Sequence, residues 1–286
     1  MAQETVFYFD VLGFRQKSKG QGEAAVDALT DLARLLGTAA IAHLTGDWAH
    51  RYALSDSVFF THEDPATAVR QAAVLFFNIA SLTLNDDAPL LVPEEPADDE
   101  PLLVRGALAE GEVRHLKGIF LESAGPANLV GQGVVDAVTL EQGSGLKGPR
   151  ILIAEQLARK LPSALADWLL RPTSAPGVWE VLWLLPPDPA SFSGDEMCVK
   201  NICDRALRLL AKKGGDREHG VHYREFLLLA ARSIERMRRA VAAGTLPAPV
   251  ISSYFDAAAV EAACEKTSGI PDEYAATLMR LVEAAR

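Results

Sequence analysis

Thr5-Val6-Phe7-Tyr8-Phe9 is an unbroken run of β-branched and aromatic residues, the pattern of a strand buried on both faces. It leads into Asp10-Val11-Leu12-Gly13-Phe14, where Gly13 permits a tight turn. From Gly22 to Leu44, Ala25, Leu29, Leu32, Leu36 and Ile41 recur at near-helical spacing with charges between them, which predicts a helix. Arg51–Leu54 and Val58–Phe60 predict two short strands around a turn at Ser55-Asp56-Ser57. Pro65 suits a first helical position, so a second helix is predicted from there to Leu82.

Residues 85–100 break the pattern with seven acids and three prolines, and read as an exposed acidic loop. A strand is expected over Leu102–Leu108, then a turn over Ala109–Glu112. Helices are expected over Gly131–Glu141 and Ile151–Leu161, and an apolar strand over Gly177–Leu185. Pro186-Pro187-Asp188-Pro189 is the clearest linker signal. Helical patterns follow over Cys198–Lys212, Tyr223–Ala243 and Asp272–Ala285. This order fits an α+β fold better than a doubly wound parallel sheet, divided into residues 1–187 and a helical C-terminal extension, 188–286.

Composition narrows the chemistry. No apolar stretch approaches the ~20 residues of a membrane-spanning helix, and Met1-Ala-Gln-Glu-Thr5 carries no basic segment of a secretory leader. Cys198, Cys203 and Cys264 form neither a disulfide framework nor a paired-cysteine zinc site, which suits a reducing cytoplasm. A formal net charge of −10 disfavours a nucleic-acid groove, because counterion release needs a basic surface. It does not disfavour one small triphosphate whose charge a metal ion neutralises.

The chain has no phosphate-loop, dinucleotide-fold, zinc-protease or serine-hydrolase signature. His219 and His222, the one close histidine pair, read as surface residues. Two aspartates remain in matching settings: Asp10 at a strand end and Asp56 at a hairpin tip. Taken singly, each reads as a cap or turn residue. Brought together they would repel unless a cation lay between them, and oxygen ligands of this kind suit Mg²⁺ or Mn²⁺.

Taken together, four segments resemble the class III nucleotidyl cyclases. Phe7–Phe14 is similar to that family's first strand and phosphate turn, and Ala53–Ser57 to its second metal-binding hairpin. Val104–Gly111 is similar to its next strand and glycine turn, and Gly131–Glu141 to its glycine-initiated helix. The resemblance covers about residues 5–185 and implies a ferredoxin-like core, an antiparallel sheet with helices. It implies that Asp10 and Asp56, with the Val11 carbonyl, bind two divalent cations. It implies a ribose 3′-hydroxyl attacking the α-phosphate, main-chain N–H groups at Gly13 and Phe14 facing the phosphates, and sites shared between two head-to-tail subunits of a homodimer.

The departures point further. Where adenylate cyclases carry a base-reading Lys and Asp, this chain has Tyr52 and Asn128. A bulkier Tyr leaves less room for a purine, and Asn both donates and accepts. The pattern is most similar to the pyrimidine cyclases of bacterial anti-phage signalling, whose product acts on a cyclic-nucleotide-responsive effector. The substrate expected is UTP or CTP, with UTP favoured. A purine cyclase and a catalytically inactive nucleotide-binding module are the alternatives. The family's transition-state Asn and Arg fall near Val135 and Thr139, which do not match, leaving Arg105, Lys117, Lys147 and Arg150 as unranked cations.

Overall fold

The computed structural model describes residues 2–14, 48–54, 56–84, 102–117, 126–188, 196–217, 219–247, 253–284 and several single positions besides. The helix expected over 22–44 lies for the most part outside the described residues, and Ser55 and the acidic loop 85–100 lie wholly outside them. Two compact units divide the chain. The first comprises Met1–Leu75, Leu103–Leu146 and Arg150–Val181, and the second Phe76–Leu102, Lys147–Pro149 and Leu182–Arg286. The second unit therefore takes in two short segments upstream of the C-terminal helices.

The first unit is built on a mixed sheet, and the α+β class is borne out. Its strands are β1 (Ala2–Val11), β2 (His50–Leu54), β3 (Ser57–His62), β4 (Val104–Lys117), β5 (Pro126–Val130), β6 (Ile151–Ala154), β7 (Leu170–Pro172) and β8 (Val178–Val181). They run in the order β2-β3-β1-β4-β6-β8-β7, with β5 paired to β4 off this path. Among the described residues, only the β4–β6 pairing is parallel.

β1 is flanked by β3 and β4, and its alternation sorts two faces. Phe7 and Phe9 point one way, into an aromatic cluster with Trp48 and Phe60. Glu4, Val6, Tyr8 and Asp10 point the other way. There Val6 and Tyr8 join Tyr52, Phe59, Ala109, Val113, Leu129 and Ala137 in one buried cluster. Both faces being buried explains why this strand reads as a continuous apolar run.

Three expectations change. No turn interrupts 109–112: β4 continues to Lys117 because Glu110, Gly111 and Glu112 pair with Thr5, Glu4 and Gln3 of the long β1. Residues 151–161 are not one helix. Ile151–Ala154 forms strand β6 beside β4, where its branched apolar side chains are buried from both sides, and only Glu155–Ala158 is helical. The strand expected over 177–185 stops at Val181.

Helix α1 (Pro65–Leu84) follows β3, and α2 (Gln132–Gly143) lies on the Tyr8 face of the sheet through Ala137, Val134 and Val138. Short helices α3 (Glu155–Ala158) and α4 (Ser163–Leu169) complete this part. α2 comes close because two glycines meet. A Cβ on Gly111 would stand 2.5 Å from the Gly133 nitrogen. Gly131, at φ 142°, turns the chain into the helix. On the other side of the sheet order, Glu180 on β8 is fully buried between Arg150 and Arg171.

In the second unit, α5 (Glu196–Lys213), α6 (Gly220–Ala242), α7 (Ala257–Lys266) and α8 (Asp272–Ala284) pack together, so the helical C-terminal region is present. α7 adds a helix to the three expected there; Asp256 caps it by accepting from the Ala258 and Ala259 N–H groups. Trp183 is buried between Phe76 and Phe226 and donates its indole N–H to the Pro149 carbonyl at 2.8 Å. Among the described residues, no helix is long and apolar enough to cross a membrane.

Gly111→Ala would force α2 away from β4, and overpacking of this kind costs roughly 1–3 kcal/mol. Thermal melting should show that loss, and an unchanged Tm would contradict the close backbone approach.

Candidate functional site

The ladders of β1 decide what surrounds Asp10. Across β3 it pairs with Ser57, and across β4 with Arg105. Asp56 immediately precedes Ser57, and its carbonyl accepts the Val11 N–H at 3.3 Å. Two aspartates separated by 46 positions in the chain thus stand at the same end of the sheet.

Arg105 joins them. Its Nε donates to Asp10 Oδ1 at 3.1 Å and also pairs with Glu141, which the last turns of α2 bring down onto the sheet. The Glu141 side chain is only 2% exposed, against 16% for Asp10 and 25% for Arg105. Tyr8, on the same face, has its hydroxyl 3.3 Å from Ser57 Oγ.

Burial raises the Asp10 carboxyl above the usual aspartate range, the Arg105 charge and hydrogen bond oppose it, and the neighbouring Asp56 charge adds to it. For Arg105, burial disfavours the charge, but Asp10 and Glu141 more than offset it and hold the guanidinium protonated. Burial also lifts the Tyr8 phenol, with Asp10 and Glu141 adding to the shift.

The donor set fits a hard cation of limited kind. Mg²⁺ and Mn²⁺ are commonly held by one or two carboxylates plus substrate phosphate oxygens. Asp10 and Asp56 supply such a pair, with the Val11 main chain between β1 and the turn. Among the described residues, no group of three or more His, Cys, Asp or Glu side chains is arranged to hold a metal. Glu141 is therefore a partner of Arg105 rather than a third ligand, and phosphate oxygens would have to complete the shell.

Gly13 follows at φ 78°, exposed, with nothing within 4 Å of where a Cβ would lie. That leaves open room beside the main chain at the acidic end. Phe14 is half-buried next to it.

Tyr52 lies elsewhere on the same face. It is only 7% exposed, and its hydroxyl is 2.6 Å from His115 Nδ1. His115 Nε2 is 2.8 Å from Glu4 Oε1. An ionised carboxylate only accepts, so Nε2 carries the proton, and in the neutral ring Nδ1 accepts from the Tyr52 hydroxyl. The His50 ring centroid sits 3.9 Å from that of His115. Burial, then the Glu4 charge, raises the Tyr52 phenol. Glu4 and Asp10 are ends of the same strand, about 20 Å apart at the usual strand rise of ~3.3 Å per residue.

Asn128 is not brought to Tyr52. It is exposed on β5 opposite Leu116, while the adjacent pair, His115 and Leu129, faces the buried side. Its Oδ1 accepts the Leu129 N–H at 2.8 Å. Of the four cations left unranked, Arg105 is the one at the aspartates. Arg150 is buried against Glu180, Lys147 belongs to the second unit, and the Lys117 side chain lies outside the described residues. Val135 and Thr139 are both exposed.

Tyr8, Ser57 and Glu141 went unselected in the sequence. Only Glu141 carried a signal: it lies one turn after Ala137, an acid on the apolar stripe of Val134, Ala137 and Val138.

No protein-family model matches the chain, and no curated protein matches it. Among solved structures, the chain is similar to the guanylyl cyclase Cya2 at 17% identity and a TM-score of 0.42, over 63% of this chain and 91% of that one. It is similar to a bacterial light-regulated adenylyl cyclase at 16% and 0.41, over 63% and 90%. An adenylate cyclase from Trypanosoma brucei gives 13% and 0.40, over 63% and 88%. Identities of this order leave activity to the chain's own residues.

The Asp10 carboxyl should titrate lower in Asp56→Asn, which removes a neighbouring negative charge, and higher in Arg105→Gln, which removes the opposing positive one. Carbon-detected NMR of the aspartate side chains reads both shifts. Equal Asp10 titration in all three proteins would mean that the groups are not electrostatically coupled.

Proposed function

We propose that the protein is a metal-dependent nucleotidyl cyclase of the class III type, acting on a pyrimidine nucleoside triphosphate, UTP ahead of CTP. The observation that carries this is the meeting of Asp10 and Asp56 at one sheet end, beside an open glycine turn. Two hard carboxylates there match what a metal–triphosphate complex requires.

Mn²⁺ or Mg²⁺ ions held by Asp10, Asp56 and the Val11 carbonyl would lower the pKa of the ribose 3′-hydroxyl and neutralise the leaving pyrophosphate. The 3′-hydroxyl gives up its proton to solvent as its oxygen attacks the α-phosphorus; the new P–O bond closes the ring and the bond from the α-phosphorus to the bridging oxygen breaks, releasing pyrophosphate. The protein's part is positioning and charge stabilisation. The main chain at Gly13 and Phe14 would face the phosphates, and among the described residues Arg105 is the cation that contacts Asp10.

The pyrimidine preference rests on Tyr52 standing where the resembling family carries Lys; Asn128, which stands where it carries Asp, is turned to the other face of β5. The resembling family places its sites between two head-to-tail subunits, and the reading includes such a homodimer. The reading extends to a catalytic part over 1–187, a supporting helical extension over 188–286, and a cytoplasmic enzyme. Its cyclic UMP or CMP serves as a second messenger for a cyclic-nucleotide-responsive effector in anti-phage defence.

A second reading, a module that binds nucleotide without turning it over, draws on the Arg105 guanidinium lying on Asp10. Incubation with each of the four nucleoside triphosphates and Mn²⁺, with products read by mass spectrometry, separates these. Cyclic product from UTP or CTP is expected. Product from ATP or GTP alone moves the assignment to a purine cyclase, and nucleotide binding without product favours the second reading.

Asp56→Ala should lower turnover about a hundredfold or more with the fold intact, as loss of a charge-stabilising group commonly does. Near-normal rates would remove Asp56 from the metal site. Tyr52→Ala should relax the preference among the four triphosphates; the same preference would show that the base is read elsewhere.

A further inference from the structure

Three carboxylates and one guanidinium converge at the acidic end of the sheet. Asp10 and Asp56 stand half-buried at the strand ends, Glu141 reaches in from α2, and Arg105 contacts Asp10 and Glu141 through the same nitrogen. With all four groups ionised, the cluster carries two uncompensated negative charges, the deficit that one divalent cation fills. Yet a cation approaching Asp10 meets an oxygen already taken by Arg105, and the positive charges of cation and guanidinium oppose each other at that distance.

From this we infer that Arg105 is a displaceable counter-ion. It neutralises Asp10 while no divalent cation is bound, and swings fully onto Glu141 when one arrives. The inference rests on the metal site assigned above and adds to it a competition within the chain.

Glu141 makes the exchange possible. It is held almost entirely out of water on a helix that the Gly111–Gly133 contact pins to the sheet, so it is a fixed second seat for the guanidinium. Arg105 can leave Asp10 without leaving a buried charge behind, because its Nε already spans both acids. Arg105 itself is a quarter exposed, which leaves it room to turn. Glu141 is thus a positioning residue: it touches neither cation nor nucleotide and acts through Arg105. Binding of cation without nucleotide is weakened by this competition, so the site fills with a metal–triphosphate complex rather than with metal alone.

Mn²⁺ binding to the full chain without nucleotide, followed by loss of the free-ion electron paramagnetic resonance signal, tests the exchange. Arg105→Gln/Glu141→Gln removes one charge of each sign, so net charge at the site is unchanged. The double variant should still bind Mn²⁺ about tenfold tighter than wild type, because the competitor for Asp10 is gone. Wild-type affinity in the double variant, with binding still lost on adding Asp10→Asn, overturns the displacement and leaves the metal site standing. Binding that survives Asp10→Asn, or no binding by any variant, overturns the metal site itself. The wild-type protein gives an independent reading that needs no folded variant. The Arg105 Nε–H resonance should move as Mg²⁺ is titrated in, and a resonance unmoved at saturation overturns the inference.

Discussion

Strand β1 is the constraint on which the site depends. It is paired on both edges and buried on both faces, so its register is specified four times over. A slip of one residue would carry Phe7 and Phe9 out of the cluster with Trp48 and Phe60 and put Thr5 and Val11 in place of Glu4 and Asp10 on the other face. The position of Asp10 against Ser57 and Arg105 is therefore set by aromatic packing that takes no part in the chemistry.

The face that carries the chemistry is polar at its ends and apolar between. Glu4, His115 and Tyr52 make one hydrogen-bonded group, Asp10, Asp56, Arg105 and Glu141 make the other, and Val6, Tyr8 and Phe59 fill the space separating them. The same alternation that aligns these residues along β1 keeps them apart, since a strand is stiff and extended. Glu4 and Asp10 therefore cannot relax toward each other along the strand.

Helix α2 supplies what the sheet lacks. Its approach through two facing glycines lowers Glu141 to a depth where a carboxylate needs a partner, and Arg105 is that partner. Arg105 answers two acids from different elements, so the charge state of the sheet end is tied to the seating of a helix. A change at Gly111 or Gly133, far from any reacting atom, would be felt at Asp10.

Much of this was legible along the chain. The Thr5–Phe9 run, the hairpin around Asp56, the glycine-led helix and the C-terminal helices follow from local periodicity and turn chemistry, and Asp10 and Asp56 stand out because each ends an apolar strand. Two errors had one cause: Ala109–Glu112 looked like a turn and Ile151–Leu161 like a helix because their strand partners lie far off in the chain. The partners of Asp10 were out of reach for the same reason. Which residue lies across a ladder depends on register, and register is decided by both faces packing at once. Asn128 shows the limit most plainly: its position suggested company with Tyr52, and the pleat of β4 and β5 turned it to the other side. By itself the sequence determined most of the strands and helices and where the acids sit along them, since those are one-dimensional patterns. That Arg105 and Glu141 meet Asp10, and that Tyr52 answers to His115, only the tertiary structure decided, because those contacts exist only once distant strands are paired and a helix is laid across them.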